Sequence, residues 1–192
     1  MNRPDFGGRW KGAGYTLEIV ESGLVYRLLP QGGSLGIQYN DSLAMATFDP
    51  AAPAAGIGIY IPAGDGSFRP LWSSIGHPGK LGMGTVTPIR ATSGFCGEYD
   101  VCYSMEDTVL SSFTVQIDTP AANEIHRLSW KKEETAVLHG AGFPLDGALA
   151  FAWGSVPHAF DLHVFTIGDE MLRQKSLFWD SPAILQQSYI RE

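Results

Sequence analysis

Cysteine is scarce in this chain: Cys96 and Cys102 are the only two among 192 residues. On one extended strand, six residues at about 3.3 Å each would hold them roughly 20 Å apart, beyond the roughly 4.4–6.8 Å Cα spacing of a disulfide. Free thiols are therefore expected, and two thiols without a nearby histidine pair or second thiol pair do not build a structural zinc site. Charge is thin as well, at 17% of residues, and 13 basic against 20 acidic side chains give a net charge of −7. The one basic pair, Lys131-Lys132, runs straight into Glu133-Glu134. Such a surface repels polyanions, which excludes nucleic acid and anionic membrane as expected partners. No apolar run approaches the 18 residues of a spanning helix, and the opening Met1-Asn2-Arg3-Pro4-Asp5-Phe6 has no apolar leader segment. A cytoplasmic protein is the expectation.

Helical signal is also missing. Ala51-Ala52-Pro53-Ala54-Ala55 is cut by proline, and Ser181-Pro182-Ala183 offers at most one turn. What the chain does have is 23 glycines and 12 prolines, dividing short segments whose apolar residues alternate with period two. Strands are expected over 15–21, 23–29, 34–39, 42–48, 56–61, 68–73 and 82–89. A second set is expected over 98–105, 109–118, 123–130, 134–140, 147–153, 158–165, 170–179 and 184–191. Short connections make neighbours antiparallel, so the fold class is all-β, a meander that closes to remove its edges.

A faint duplication runs through these segments. Leu24-Val25-Tyr26-Arg27-Leu28 is answered by Glu124-Ile125-His126-Arg127-Leu128, and Asp41-Ser42-Leu43-Ala44-Met45-Ala46 by Asp146-Gly147-Ala148-Leu149-Ala150-Phe151-Ala152. Gly64-Asp65 with Leu71-Trp72 and Gly168-Asp169 with Phe178-Trp179 keep the same order. Two half-repeats, 1–94 and 95–192, are expected to share one structural domain. The small faces Ala44/Ala46 and Ala148/Ala150/Ala152 mark places where the wall curves tightly or another layer comes close.

With the openings Gly8-Arg9-Trp10 and Gly97-Glu98-Tyr99, this strand order resembles the calycin-like superfamily of lipocalins, fatty-acid-binding proteins and avidins. The resemblance implies a closed barrel around an apolar ligand. It carries over no ligand residue, because neither an avidin biotin loop nor the Arg-x-Tyr terminus of fatty-acid-binding proteins is present, and a duplication departs from a simple eight-stranded barrel.

Candidate site residues come from strand phase. Arg27 and Arg127 share faces with aliphatic neighbours; each either aims a guanidinium at a ligand carboxylate, pairs with an internal Asp or Glu, or lies over an outer wall with its head in water. Tyr26, Tyr39 and Trp153 are aromatics on expected walls, and His126 and His139 are the histidines best placed for a cavity. The expected function is binding of a small apolar or weakly acidic molecule, with no cofactor and no metal. Two alternatives stand beside it: an assembly protein whose aromatic faces pair copies into a homo-oligomer, and a small isomerase or cyclase moving a proton through His126, His139 or Tyr39. No Gly-x-Ser-x-Gly elbow or phosphate loop is present.

Overall fold

Period-two alternation broken by turn residues leaves backbone amides one economical set of partners, the antiparallel ladder. The computed structural model describes residues 3–13, 15–29, 33–91, 94–118, 124–179 and 184–192, and within them carries sixteen strands and no helix. The strands are β1 (Gly8–Lys11), β2 (Thr16–Ser22), β3 (Val25–Leu29), β4 (Ser34–Tyr39), β5 (Ser42–Phe48), β6 (Ala55–Pro62), β7 (Phe68–Ser74) and β8 (Met83–Ala91). They continue as β9 (Gly97–Met105), β10 (Thr108–Ile117), β11 (His126–Lys132), β12 (Thr135–Leu145), β13 (Ala148–Gly154), β14 (Phe160–Gly168), β15 (Met171–Phe178) and β16 (Ile184–Arg191). The short turn considered at Ser181-Pro182-Ala183 lies outside the described residues.

The strands close two antiparallel barrels of eight. Barrel 1 is built from β1–β5 and β14–β16, barrel 2 from β6–β13. Adding eight to each strand number of barrel 1, counting round from sixteen to one, reproduces the order of barrel 2. The first five strands of each repeat thus build one barrel and its last three the other. The pairing of β1 with β16, which sets Trp10 opposite Arg191, corresponds to that of β9 with β8, which sets Tyr99 opposite Pro88.

Three apolar clusters follow. Trp10, Ile19, Leu43, Met45, Phe165 and Tyr189 fill barrel 1. Tyr60, Tyr99, Trp130, Leu149 and Phe151 fill barrel 2. Between the barrels lies a third layer, in which Ala44 and Ala46 stand opposite Val164 and Leu162, and Ala150 and Ala152 opposite Ile59 and Ile57. The alanine faces are therefore where one barrel wall meets the other. Small side chains beside bulky ones let two curved sheets approach closely enough to exclude water.

The expected closure of the meander is found, and it takes the form of two walls with two interiors, each filled for most of its length by its own side chains. Strand number explains the filling, because eight strands enclose a space that side chains largely occupy.

Candidate functional site

Barrel 2 is not filled to its end. Where β7, β9, β11 and β13 end and β6, β10 and β12 begin, a concavity of about 340 Å³ opens, lined by Trp72, Tyr103, Phe113, Trp130, Leu138 and Trp153, with Leu110 at its rim and Ser74, His77 and Ser111 as polar neighbours. Volumes above roughly 300 Å³ with mostly aromatic lining are typical of small-molecule sites, and barrel mouths are a recurrent place for them.

Local sequence explains how three indoles fit at one end of a narrow barrel. Each lies against a glycine: Trp72 against Gly82, Trp153 against Gly56 and Trp130 against Gly140. A Cβ on Gly82 or Gly56 would come within 2.2 or 2.4 Å of the ring atoms, so only glycine admits the indole there. Trp72 and Gly82 also exchange backbone hydrogen bonds, and Trp72 Nε1 donates to the Met83 carbonyl at 2.9 Å. The rings are held by the wall behind them.

The floor of the concavity is polar but saturated. Trp130 Nε1 donates to Tyr103 Oη at 2.8 Å, and the Tyr103 and Tyr60 hydroxyls are hydrogen-bonded at 2.6 Å. Burial raises the pKa of both phenols, so they stay neutral at physiological pH. At the rim, Ser74 Oγ lies 3.2 Å from His77 Nδ1, and the His77 ring stands edge-on to Trp72. No carboxylate, lysine or arginine is among the lining residues. Tyr103→Phe is expected to cost about 2–3 kcal/mol in a urea unfolding series, because it strands the Trp130 N–H and the Tyr60 hydroxyl in a dry site; an unchanged midpoint would contradict that floor.

Of the residues singled out from sequence, Trp153 lines this mouth. His126 is buried at the other end of barrel 2, with Nδ1 3.3 Å from the Asp118 carbonyl and 3.8 Å from Cys96 Sγ; burial lowers its pKa. His139 is half-buried on β12, opposite Ser129 and Gly154. Tyr26 packs into barrel 1, where its hydroxyl donates towards Gln38 Oε1 at 2.9 Å, and burial with Glu21 beside it pushes its pKa up to about 12. Tyr39 packs against the layer between the barrels. The histidines and Tyr39 invoked for proton transfer are thus not brought together.

Arg27 and Arg127 both lie on outer walls. Arg127 Nη2 donates to the Trp179 carbonyl at 3.1 Å, and its guanidinium covers the Trp179 ring at 4.4 Å. Arg27 borders a separate cleft between the barrels. Cys96 and Cys102 form no disulfide with each other.

Barrel 1 carries a different arrangement at the equivalent end. By register, Thr47 stands where barrel 2 has Trp153, Ser176 where it has Trp72, and Tyr15 where it has Phe113. There, buried His163 sits 3.2 Å from Thr47 Oγ1 through Nε2. Gln174 Nε2 donates to His163 Nδ1 at 3.0 Å and to Ser176 Oγ at 2.7 Å, and the Tyr189 hydroxyl, which meets that of Tyr15, donates to Gln174 Oε1. This network missed by sequence reasoning consists of residues with no shared motif; only the odd polar residues inside apolar strands marked it. In comparisons with known proteins, no family model, no curated protein and no solved structure matches the chain.

Proposed function

We propose that the chain binds one small, neutral, ring-containing apolar molecule in the mouth of barrel 2. The observation that carries this reading is a concavity of about 340 Å³ whose wall is aromatic, whose floor hydroxyls are satisfied and whose lining holds no charge. A charged ligand would lose its hydration there without a counter-ion, whereas an apolar ring gains roughly 25 cal/mol for each Å² removed from water. His77 and Ser74 at the rim supply the polar contact that fixes orientation. Closed eight-stranded antiparallel walls agree with the resemblance to calycin-like binders. Two cysteines without a disulfide fit a reducing cytoplasm.

Assembly into homo-oligomers draws less support, since the widest apolar outer faces are spent within the chain, one barrel against the other. Proton-transfer catalysis would need acid and base groups converging on the mouth, and His77 is the one titratable side chain at its rim besides the neutral Tyr103.

Titration with the uncharged fluorophore N-phenyl-1-naphthylamine tests the reading. One equivalent per chain is expected to bind, with quenching of tryptophan emission, because the corresponding end of barrel 1 carries the polar His163 network in place of the indoles. Leu110 is 44% exposed at the rim. Leu110→Asp is expected to keep the fold and to weaken binding at least about tenfold by placing a carboxylate against the bound ring. Absence of saturable binding, or affinity indifferent to Leu110→Asp, would sink the proposal.

A further inference from the structure

Arg27 lies on β3 in a cleft of about 190 Å³ where barrel 1 meets the loop after β7 of barrel 2. Leu28, Leu29 and Leu35 form one side, Ile75 and Pro78 the other. The arginine is half-buried, and its Nε is buried without a hydrogen-bond partner among the described residues. Four other arginines have carboxylates: Arg9 pairs with Glu192, Arg90 with Glu98, Arg173 with Asp169 and Arg191 with Asp5. Arg27 has no such ion pair among the described residues, although the chain carries a net charge of −7.

The duplication supplies an internal comparison. Arg127 holds the equivalent place on β11, and Trp179 both covers its guanidinium and accepts its hydrogen bond. By register, the residue in Trp179's place near Arg27 is Ile75. An aliphatic side chain offers no π-face and is smaller than an indole, so the cleft keeps open space in front of a cation that its counterpart has covered. The one hydroxyl in the lining is already committed: Ser34 Oγ accepts from the Leu28 N–H at 2.7 Å and donates to the Leu28 carbonyl at 3.1 Å.

We propose that this cleft is a second binding site, taking a small monocarboxylate whose two oxygens meet the Arg27 guanidinium and whose short hydrocarbon part lies on Leu35, Ile75 and Pro78. A planar carboxylate matches the fork of N–H donors. One guanidinium in an otherwise apolar cleft balances one negative charge, which disfavours a doubly charged phosphate. Because Ser74 and His77 line the aromatic mouth while Ile75 and Pro78 line the cleft, one loop separates two sites of different chemistry.

The test is a titration of the isotope-labelled intact chain followed through the arginine Nε–H and the Ile75 methyl NMR signals. The probes are butyrate, its neutral analogue 1-butanol and inorganic phosphate. Butyrate is expected to shift both signals saturably, with 1-butanol and phosphate at least about tenfold weaker. Arg27→Gln removes no hydrogen bond among the described residues, so it should fold normally; it is expected to weaken butyrate at least about tenfold, with Arg27→Lys intermediate. Butyrate shifts confined to the indoles of Trp72 and Trp130, equal binding of 1-butanol, tighter binding of phosphate, or an Arg27→Gln chain that binds butyrate unchanged would each overturn the assignment. None of these outcomes bears on N-phenyl-1-naphthylamine binding in the mouth, so the two proposals fail separately.

Discussion

Gly142→Ala is expected to cost the fold about 3 kcal/mol and to bring both barrels down in one transition. A Cβ at Gly142 would stand 2.3 Å from the Ala150 carbonyl oxygen and 2.8 Å from Phe151 Cβ. Neither obstacle is a flexible side-chain tip, so β12 and β13 must move apart. Ala150 has its side chain in the layer between the barrels, and displacing its strand loosens the contact of barrel 2 with β5 and β14 of barrel 1. Gly36 is the equivalent position in barrel 1, but there the one contact under 3.0 Å is Met45 Cγ at 2.8 Å, in a side chain that can change rotamer, while Tyr26 Cβ at 3.1 Å and the Ala44 carbonyl oxygen at 3.2 Å need give by only a few tenths of an ångström. Gly36→Ala should therefore cost about 1 kcal/mol or less, helped by the lower entropy of its unfolded chain. Urea unfolding followed at the indole signals of Trp10 in barrel 1 and Trp130 in barrel 2 checks both expectations. Loss of the Trp130 signal while Trp10 stays native would contradict the coupling of the barrels.

Acidification should remove a comparable amount of stability through His163. Burial lowers its pKa to about 4, against an ordinary value of 6.5. The hydrogen bonds agree: with Nδ1 accepting from Gln174, the ring is neutral and its proton sits on Nε2, facing Thr47. Between pH 6.5 and about 4 the unfolded chain binds a proton that the folded chain refuses, so stability rises with pH in that window and is lost as pH falls through it. The loss amounts to about 3 kcal/mol from pH 7 to pH 4, at about 1.4 kcal/mol per unit. Carboxylates also titrate there, so the contribution is read by difference: His163→Gln should flatten the pH dependence of the urea midpoint by that amount. Equal slopes in both proteins would show that His163 accepts its proton inside the fold.

Strand existence was legible because period two survives in most segments. β2, β5, β6, β7 and β16 lie within a residue or so of their expected bounds. β1 was missed, since four residues with one buried side chain, Trp10, show no period. β12 runs to Leu145 rather than ending near residue 140, because Gly140, Ala141 and Gly142 look like a break in sequence, yet Gly140 lies close against the Trp130 ring and Gly142 close against β13. Three tight turns were hidden too. Glu106-Asp107, Glu133-Glu134 and Asp169-Glu170 each place two non-glycine residues in the left-handed region, where turn rules would look for Asn-Gly.

The arginines show why the site was harder to read than the fold. Alternation separates Tyr26 and Leu28 from Val25 and Arg27, but both faces of β3 are sheltered, one by the barrel 1 interior and one by barrel 2. An apolar neighbour therefore does not identify the inner face. The mouth posed a second difficulty, because Trp72, Tyr103, Phe113, Trp130 and Trp153 come from five strands that only closure brings to one rim. Their one local signal is the glycine facing each indole, which becomes visible once the strands are paired.

Intermolecular NOE spectroscopy on the chain saturated with N-phenyl-1-naphthylamine tests the aromatic mouth most directly. Cross-peaks from the probe to ring protons of Trp72, Trp130 and Trp153 and to the Leu110 and Leu138 methyls are expected, with none to Trp10 or Tyr189. Cross-peaks to the barrel 1 rings, or contacts spread over the outer walls with the three indoles untouched, would contradict it.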